Sequence, residues 1–322
     1  MAFLSNCTTF APAMKILEGN GNQTMKPCVA TIGMFDGVHK GHRFVLSHIC
    51  DYAKAHKLAS MVITFDRHPR EVVQTDWKPL LLTTNEERMK LLEETGVDYC
   101  VVLSFTKELA ALSARDFMVM MKEQLCVKVL LMGYDNRFGH KCQETFEDYV
   151  RYGEEIGMEV ESLPPAPSNR NGSMISSSYV RRLLTEGKVC EAMECLSYPY
   201  HLTGKVVKGD HIGTILGFPT ANLQSNDLRK LIPAPGVYSV ICKKRGDSQQ
   251  LLGMMNIGTR PTFGIHAQTL EVHLLDYEGD LYGKEITVSF IERLREERRF
   301  DNEEELKAQL KEDRKKTEDM KI

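Results

Sequence analysis

Four short runs of consecutive apolar residues punctuate the first half of the chain, at residues 29–32, 60–65, 99–103 and 127–132. None alternates apolar with polar positions, so each predicts a strand covered on both faces, as in a parallel sheet flanked by helices. Between them the period lengthens. Residues 41–57 place Val45, Ile49, Tyr52 and Ala53 on one helical face, and residues 113–125 do the same with Phe117, Met120, Met121 and Leu125. Both predict helices packed on the sheet, the methionines of the second filling the core.

After Gly187 the pattern changes. A short helix over residues 190–196 is followed by strand candidates at 202–207, 237–242, 251–256, 269–275 and 286–291, separated by glycine and proline turns. That density predicts a small barrel or closed sheet. Asp301 with Glu304 predicts a capping box at the start of a terminal helix whose Leu306 and Leu310 face inward. The basic run 314–316 then forms its solvated carboxyl end, where positive charge suits the helix dipole.

A length of 322 residues exceeds what one core usually organises, which makes two domains the expectation, 1–187 and 188–322. No apolar run is long enough to cross a bilayer, and the amino terminus lacks the basic start and apolar core of a signal peptide, so the cytoplasm is the expected compartment. The nine cysteines are scattered and form no CxxC pair, which indicates neither a disulfide framework nor a zinc site. A net charge of -3 gives no general attraction to nucleic acid. Any anionic ligand must be held by local groups.

Two stretches have that local character. In GMFDGVHKGHR, residues 33–43, a strand ends in a glycine-containing loop and a helix opens, so free backbone N–H groups face whatever sits above. His39 and His42 are spaced to lie on one side of that helical entrance, where each can offer a ring N–H to a phosphate oxygen. Gly41 between them removes a side chain where a nucleotide would need to approach. The second stretch is GDHIGTILGFPTANL, residues 209–223. There Pro219 stiffens a turn, Thr220 and Asn222 offer oxygens suited to phosphate-bound Mg²⁺, and Gly209, Gly213 and Gly217 leave room for a backbone cradle. Farther on, Glu271 projects opposite to Leu270 and Val272 along its strand, and a carboxylate held in a barrel mouth can act as a general base.

The HxGH pattern directly after FDG resembles the nucleotidylyltransferases, and ISSSYVR at 175–181 is similar to their second signature. The resemblance implies a Rossmann-like fold in which His39, His42 and Arg181 stabilise charge on ATP, with Gly33, Phe35, Asp36, Gly41, Ser177 and Ser178 around the nucleotide. TFDRHP at 64–69 and GYDNRFG at 133–139 resemble the FMN adenylyltransferase module, which makes Asp135 and Phe138 the flavin-contacting candidates. Relatives often carry Phe where Asn136 stands. From Tyr200 onward the chain resembles riboflavin kinase, a small β-barrel enzyme, in GFPTANL, PAPGVYSV, MNIGTRPTFG, LEVHLLDYEGDLYGK and RLREERRF. There the resemblance gives Glu271 the role of base toward the riboflavin hydroxyl and sets Arg295 near the flavin. It departs at Thr214, where relatives commonly have Arg.

Taken together, about 27–313 resembles the bacterial bifunctional riboflavin kinase/FAD synthetases. The implied architecture is α/β plus β, a Rossmann-like domain followed by a kinase-type β-barrel with a terminal helix. The implied chemistry is ATP-dependent conversion of riboflavin to FMN, then adenylylation of FMN to FAD, with Mg²⁺ accompanying ATP. Three alternatives are a kinase with a weakened adenylylating half, a flavin-binding regulator, and an adenylyltransferase for another precursor. The regulator would not need Glu271, and the last leaves the kinase half without a purpose.

Overall fold

The structure, a computed structural model, describes residues 14–18, 25–73, 80–133, 137–140, 143–166, 168, 172–208, 217–262 and 265–320. Contacts divide it into two compact units, Met1–Pro79 with Thr83–Ile175, and Leu80–Leu82 with Ser176–Ile322. Residues 176–187 therefore group with the second unit, together with a three-residue strip from the first half of the sequence.

In the first unit the order is β1 (Lys15–Glu18), β2 (Cys28–Ile32), α1 (Lys40–His56), β3 (Ala59–Phe65), α2 (Pro69–Val73), α3 (Asn85–Glu93), β4 (Tyr99–Leu103), α4 (Lys107–Ala111), α5 (Ala114–Leu125), β5 (Val127–Met132), α6 (Phe146–Ile156) and β6 (Glu159–Ser162). The six strands form one parallel sheet in the order β1-β4-β3-β2-β5-β6. From β2 the chain winds one way through β3 and β4 and the other way through β5 and β6. The carboxyl end of β2 thus lies at the reversal point where such sheets bind ligands. Every residue of β2 and β3 is buried, as continuous apolar runs require.

The helical faces are turned slightly from the expected ones. α1 buries Gly41, Leu46, Ile49, Cys50 and Ala53. Val45 and Tyr52 sit at the margin, where the Tyr52 hydroxyl donates to Glu161 Oε1 at 2.8 Å. α5 buries Phe117, Met118, Met121 and Leu125, with Met120 half-buried, so the methionines are core as expected.

The second unit comprises α7 (Ser177–Thr185), α8 (Val189–Leu196), β7 (His201–Val207), β8 (Ala221–Ser225), β9 (Gly236–Lys244), β10 (Gln250–Thr262), β11 (Ile265–Leu274), β12 (Glu285–Arg295) and α9 (Glu303–Glu318). Its six strands close into a barrel in the order β10-β11-β8-β7-β12-β9. β8, read from sequence only as a turn, is what joins β11 to β7. The inward positions are apolar on all six strands, among them Val206, Leu223, Tyr238, Met255, Val272 and Phe290. Along β7 the alternate positions are half-exposed or exposed, which fixes that set as the outer wall.

α9 starts one residue later than the capping box at Asp301 implies. Asn302 is the cap, accepting from Glu305 N at 2.9 Å while its amide donates to Glu305 Oε1. The inward face of α9 begins with half-buried Leu306 and Leu310 and continues with the fully buried Asp313 and Thr317. Asp313 Oδ2 accepts from Arg295 Nε at 2.8 Å and Oδ1 from Gln309, while Thr317 shares a 2.8 Å hydrogen bond with Ser239. A polar seam therefore fixes α9 to the barrel's outer wall.

Candidate active sites

The loop from Gly33 to Val38 is backbone under strain. Phe35 and Val38 hold φ of 51° and 34°, left-handed values unusual for residues with side chains, and Gly37 holds 80°. Its surroundings determine it closely. Asp36 Oδ1 accepts from both the backbone N–H and the hydroxyl of Thr83, each at 2.9 Å, and the Thr83 hydroxyl accepts from Gly37 N at 3.0 Å. Asp36 thus has a structural part in the loop, and a Cβ at Gly33 would meet the Phe35 ring at 3.2 Å.

His39 is the N-cap of α1, its Nδ1 accepting from His42 N at 3.4 Å. The two imidazoles stack with centres 3.7 Å apart at 18°, and the Phe35 ring meets His42 edge-on at 5.1 Å. The expected one-sided placement of the histidines is therefore present, in a tighter form than the spacing implied. Burial holds His42 well below the ordinary imidazole value, and positive charge on His39 and on Arg88 acts in the same direction. Its Nδ1 is buried without a partner. Gly41 makes room for the protein itself, because a Cβ there would lie 3.2 Å from the His39 ring and 3.3 Å from the Ile175 carbonyl.

Beside the ends of β2 and β3 lies a cavity of about 550 Å³, lined by Ile32, Phe65, Phe105, Leu112, Phe117 and Phe138, with Arg70, Lys107 and Arg137 among its polar groups. Its walls suit a flat aromatic ligand and its cations an anionic tail. Phe138 both lines the cavity and packs on Phe117 and Tyr149, and the Tyr149 hydroxyl holds its backbone N–H and carbonyl at 2.9 and 2.7 Å. Asp135 and Asn136 lie outside the described residues.

In the second unit Ser176 caps α7, accepting from Tyr179 N, and Ser177 and Ser178 occupy its first two positions. Arg181 Nε donates to Leu80 O at 2.7 Å. Gly187, with φ of 75°, lies where a Cβ would meet the Arg293 side chain at 2.8 Å.

At one end of the barrel a cavity of about 680 Å³ is lined by Val206, Lys208, Pro219, Thr220, Tyr277 and Tyr282, among others. The turn carrying Pro219 is anchored by His273, whose Nδ1 lies 2.8 Å from Pro219 O and whose ring meets Phe218 edge-on at 5.2 Å. Burial lowers the pKa of His273, with Arg314 adding to the effect and the Pro219 carbonyl and Asp276 opposing it. Because a carbonyl oxygen only accepts, Nδ1–H is the donor. Gly217 has φ of 78° and precedes this turn, whereas Gly209, Gly213 and Thr214 lie outside the described residues.

Glu271 is on the outer wall of the barrel, not inside its mouth. The register pairs it with Asn222 of β8 on one side and Asn256 of β10 on the other, so the three side chains share one face. Leu270 and Val272, which alternate with it, fill the interior. Arg295 stands against the same wall through its buried ion pair with Asp313. Sequence reading missed Thr83, Arg88, Asn256 and His273, because each acts through a partner distant in sequence.

Residues 21–179 match the family model for FAD synthetase and residues 196–321 that for riboflavin kinase. A bifunctional riboflavin kinase/FMN adenylyltransferase of Escherichia coli K12 is 39% identical over 93% of this chain and 96% of its own length. Proteins of the same name from Listeria monocytogenes and Haemophilus influenzae are 35% and 34% identical, over 90% and 93% of this chain and 91% and 97% of their own. A solved structure described as a macrolide-efflux protein from Streptococcus pneumoniae superposes with a TM-score of 0.87 at 30% identity, covering 95% of this chain and 99% of that one. Among the described residues no helix is long and apolar enough to cross a membrane. With both family models matched in order along one polypeptide, the chain belongs to the bifunctional riboflavin kinase/FMN adenylyltransferases.

Proposed function

We propose that the two activities of the family divide along the chain, with phosphorylation of riboflavin in the barrel domain (188–322) and adenylylation of FMN in the domain of residues 1–187. The observation that carries this reading is the presence of two separate cavities, one beside the carboxyl ends of β2 and β3 and one beside the GFPTANL turn.

In the first reaction Glu271 takes the proton of the riboflavin 5′-hydroxyl as that oxygen attacks the γ-phosphorus of ATP. ADP leaves and FMN is formed. Asn222 and Asn256, beside Glu271 in register, orient the hydroxyl and the carboxylate. Phosphoryl transfer otherwise depends on positioning and on stabilising the spread charge. Thr220 and Asn222 offer neutral oxygens at the turn, a donor set suited to Mg²⁺ whose charge is balanced by phosphates. The ion, when bound, would draw electron density from the phosphate oxygens.

In the second reaction a phosphate oxygen of FMN attacks the α-phosphorus of ATP and pyrophosphate leaves. The 550 Å³ aromatic cavity holds the flavin ring. His39 and His42 stabilise charge on the phosphates, without a covalent enzyme intermediate. Since the unliganded His42 is held neutral, it first acts as an N–H donor, and the arriving polyanion favours its protonated form. Substrates and products are ATP, riboflavin, FMN and FAD. Neither nucleic acid nor membrane is a partner, and the work is cytoplasmic. Incubating the purified chain with riboflavin, ATP and Mg²⁺ and separating the flavins over time tests the order: FMN rises first and FAD follows. FAD appearing with no FMN precursor, or neither product, contradicts it.

A further inference from the structure

Arg88, at the fourth position of α3, is 3% exposed and aimed under the HxGH loop. Its hydrogen-bond partners are all uncharged. Nη1 donates to Met34 O at 3.1 Å, and Nη2 donates to Phe65 O at 2.6 Å and to Asn85 Oδ1 at 3.0 Å. Nε is buried with no partner. The nearby carboxylates turn oxygens elsewhere, Asp36 toward Thr83 and Asp66 toward Phe105 N at 3.0 Å.

Asp36 and Asp66 act on the guanidinium through space and neither bonds it, so the buried charge is only partly compensated, and tying carbonyls together requires only neutral donors. Such a charge is useful where an anion comes to bind. The two carbonyls it holds lie just beyond the end of β2 and at the last residue of β3, in the floor of the crevice at the sheet's reversal point. Met34 immediately precedes the strained Phe35, whose ring touches His42. The charge is also felt at His42, where it acts with burial and His39 to keep the imidazole neutral.

We propose that Arg88 is a positioning residue for adenylyl transfer, fixing the Met34 and Phe65 carbonyls so that Phe35 holds His42 in place and adding positive charge beneath the nucleotide phosphates. This rests on the reading of His39 and His42 as the pair that stabilises the phosphates.

Arg88→Gln retains planar N–H donors and loses the charge; Arg88→Lys retains the charge and loses the fork. Both are assayed with FMN and ATP for FAD formation, with riboflavin for phosphorylation as a control on the barrel unit, and by thermal unfolding to report whether the first unit is folded. Arg88→Gln should lower kcat for FAD formation by roughly tenfold to a hundredfold, with the KM for FMN within about threefold and riboflavin phosphorylation unchanged. Arg88→Lys should recover most of that kcat. A kcat within about threefold for Arg88→Gln, a change confined to KM, a Lys variant no better than Gln, or parallel loss of both activities overturns the proposal. His42→Ala in the same assay separates the layers, because full FAD formation there refutes the reading of the histidines instead.

Discussion

The imidazole of His39 lies stacked on that of His42, with ring centres 3.7 Å apart, and its Nδ1 accepts the His42 backbone N–H. One histidine therefore caps the helix that carries the other. The same hydrogen bond satisfies an orphan donor and leaves His39 Nε2 as its protonated nitrogen. Burial is the main reason why His42 is held neutral, and the repulsion that a charge on one ring would exert on a charge on the other acts in the same direction.

Glu271, Asn222 and Asn256 form a row across three strands, and only Glu271 can take a proton. Replacing it by Gln keeps the shape and removes the base. FMN formation from riboflavin should fall by about two to four powers of ten, while FAD formation from added FMN is unchanged. Unchanged FMN production excludes Glu271 as the base.

Thr83 joins Asp36 to Gly37 through one buried hydroxyl. Thr83→Val preserves volume and leaves the Gly37 N–H without that acceptor. Denaturant unfolding should report a loss of about 1–3 kcal/mol, the usual consequence of orphaning a buried donor. An unchanged midpoint means the loop is held by other contacts.

The pair Arg295–Asp313 is buried, with the Asp313 side chain at 0% exposure. Asp313→Leu alone leaves a buried guanidinium and should destabilise by about 3–5 kcal/mol. Adding Arg295→Met should recover much of that loss, giving strong coupling in a double-mutant cycle. Additive losses would assign Arg295 a role apart from Asp313.

Protonating His273 opposes folding, since its folded pKa lies below that of the unfolded chain. Between the two values the unfolded state binds more protons. Stability from this group is complete above about pH 6.5 and falls as acid is added through that value. His42 acts with the same sign. Unfolding free energies measured from about pH 7.5 to about pH 5.5 should decline less steeply for His273→Gln than for the parent. Equal slopes mean that His273 is protonated to the same extent in both states.

Much of this molecule can be read from periodicity. Strands such as Tyr99–Leu103 and Val127–Met132 are unbroken apolar runs because both faces of the parallel sheet are covered, and composition alone reveals that. β8 was legible only as a turn, since Ala221–Ser225 has one buried position in five and gains its strand character from pairing with β7 and β11. Likewise, alternation put Glu271 opposite Leu270 but could not say which side was the interior until the barrel closed. Arg88 lies on a helix whose pattern looks like ordinary surface charge, and only the fold brings it under the ends of two strands. The polar seam of α9 was hidden for a similar reason: Asp313 and Thr317 look solvent-facing without Arg295 and Ser239 opposite them.

The division of two chemistries within one chain is tested most directly by His42→Ala supplied with riboflavin, ATP and Mg²⁺, measuring FMN, FAD, ADP and pyrophosphate together. FMN and ADP should appear in equal amounts at the parent rate, with FAD and pyrophosphate reduced by about two to three powers of ten. FAD and pyrophosphate at the parent rate, or the loss of all four products in a folded chain, would contradict the account.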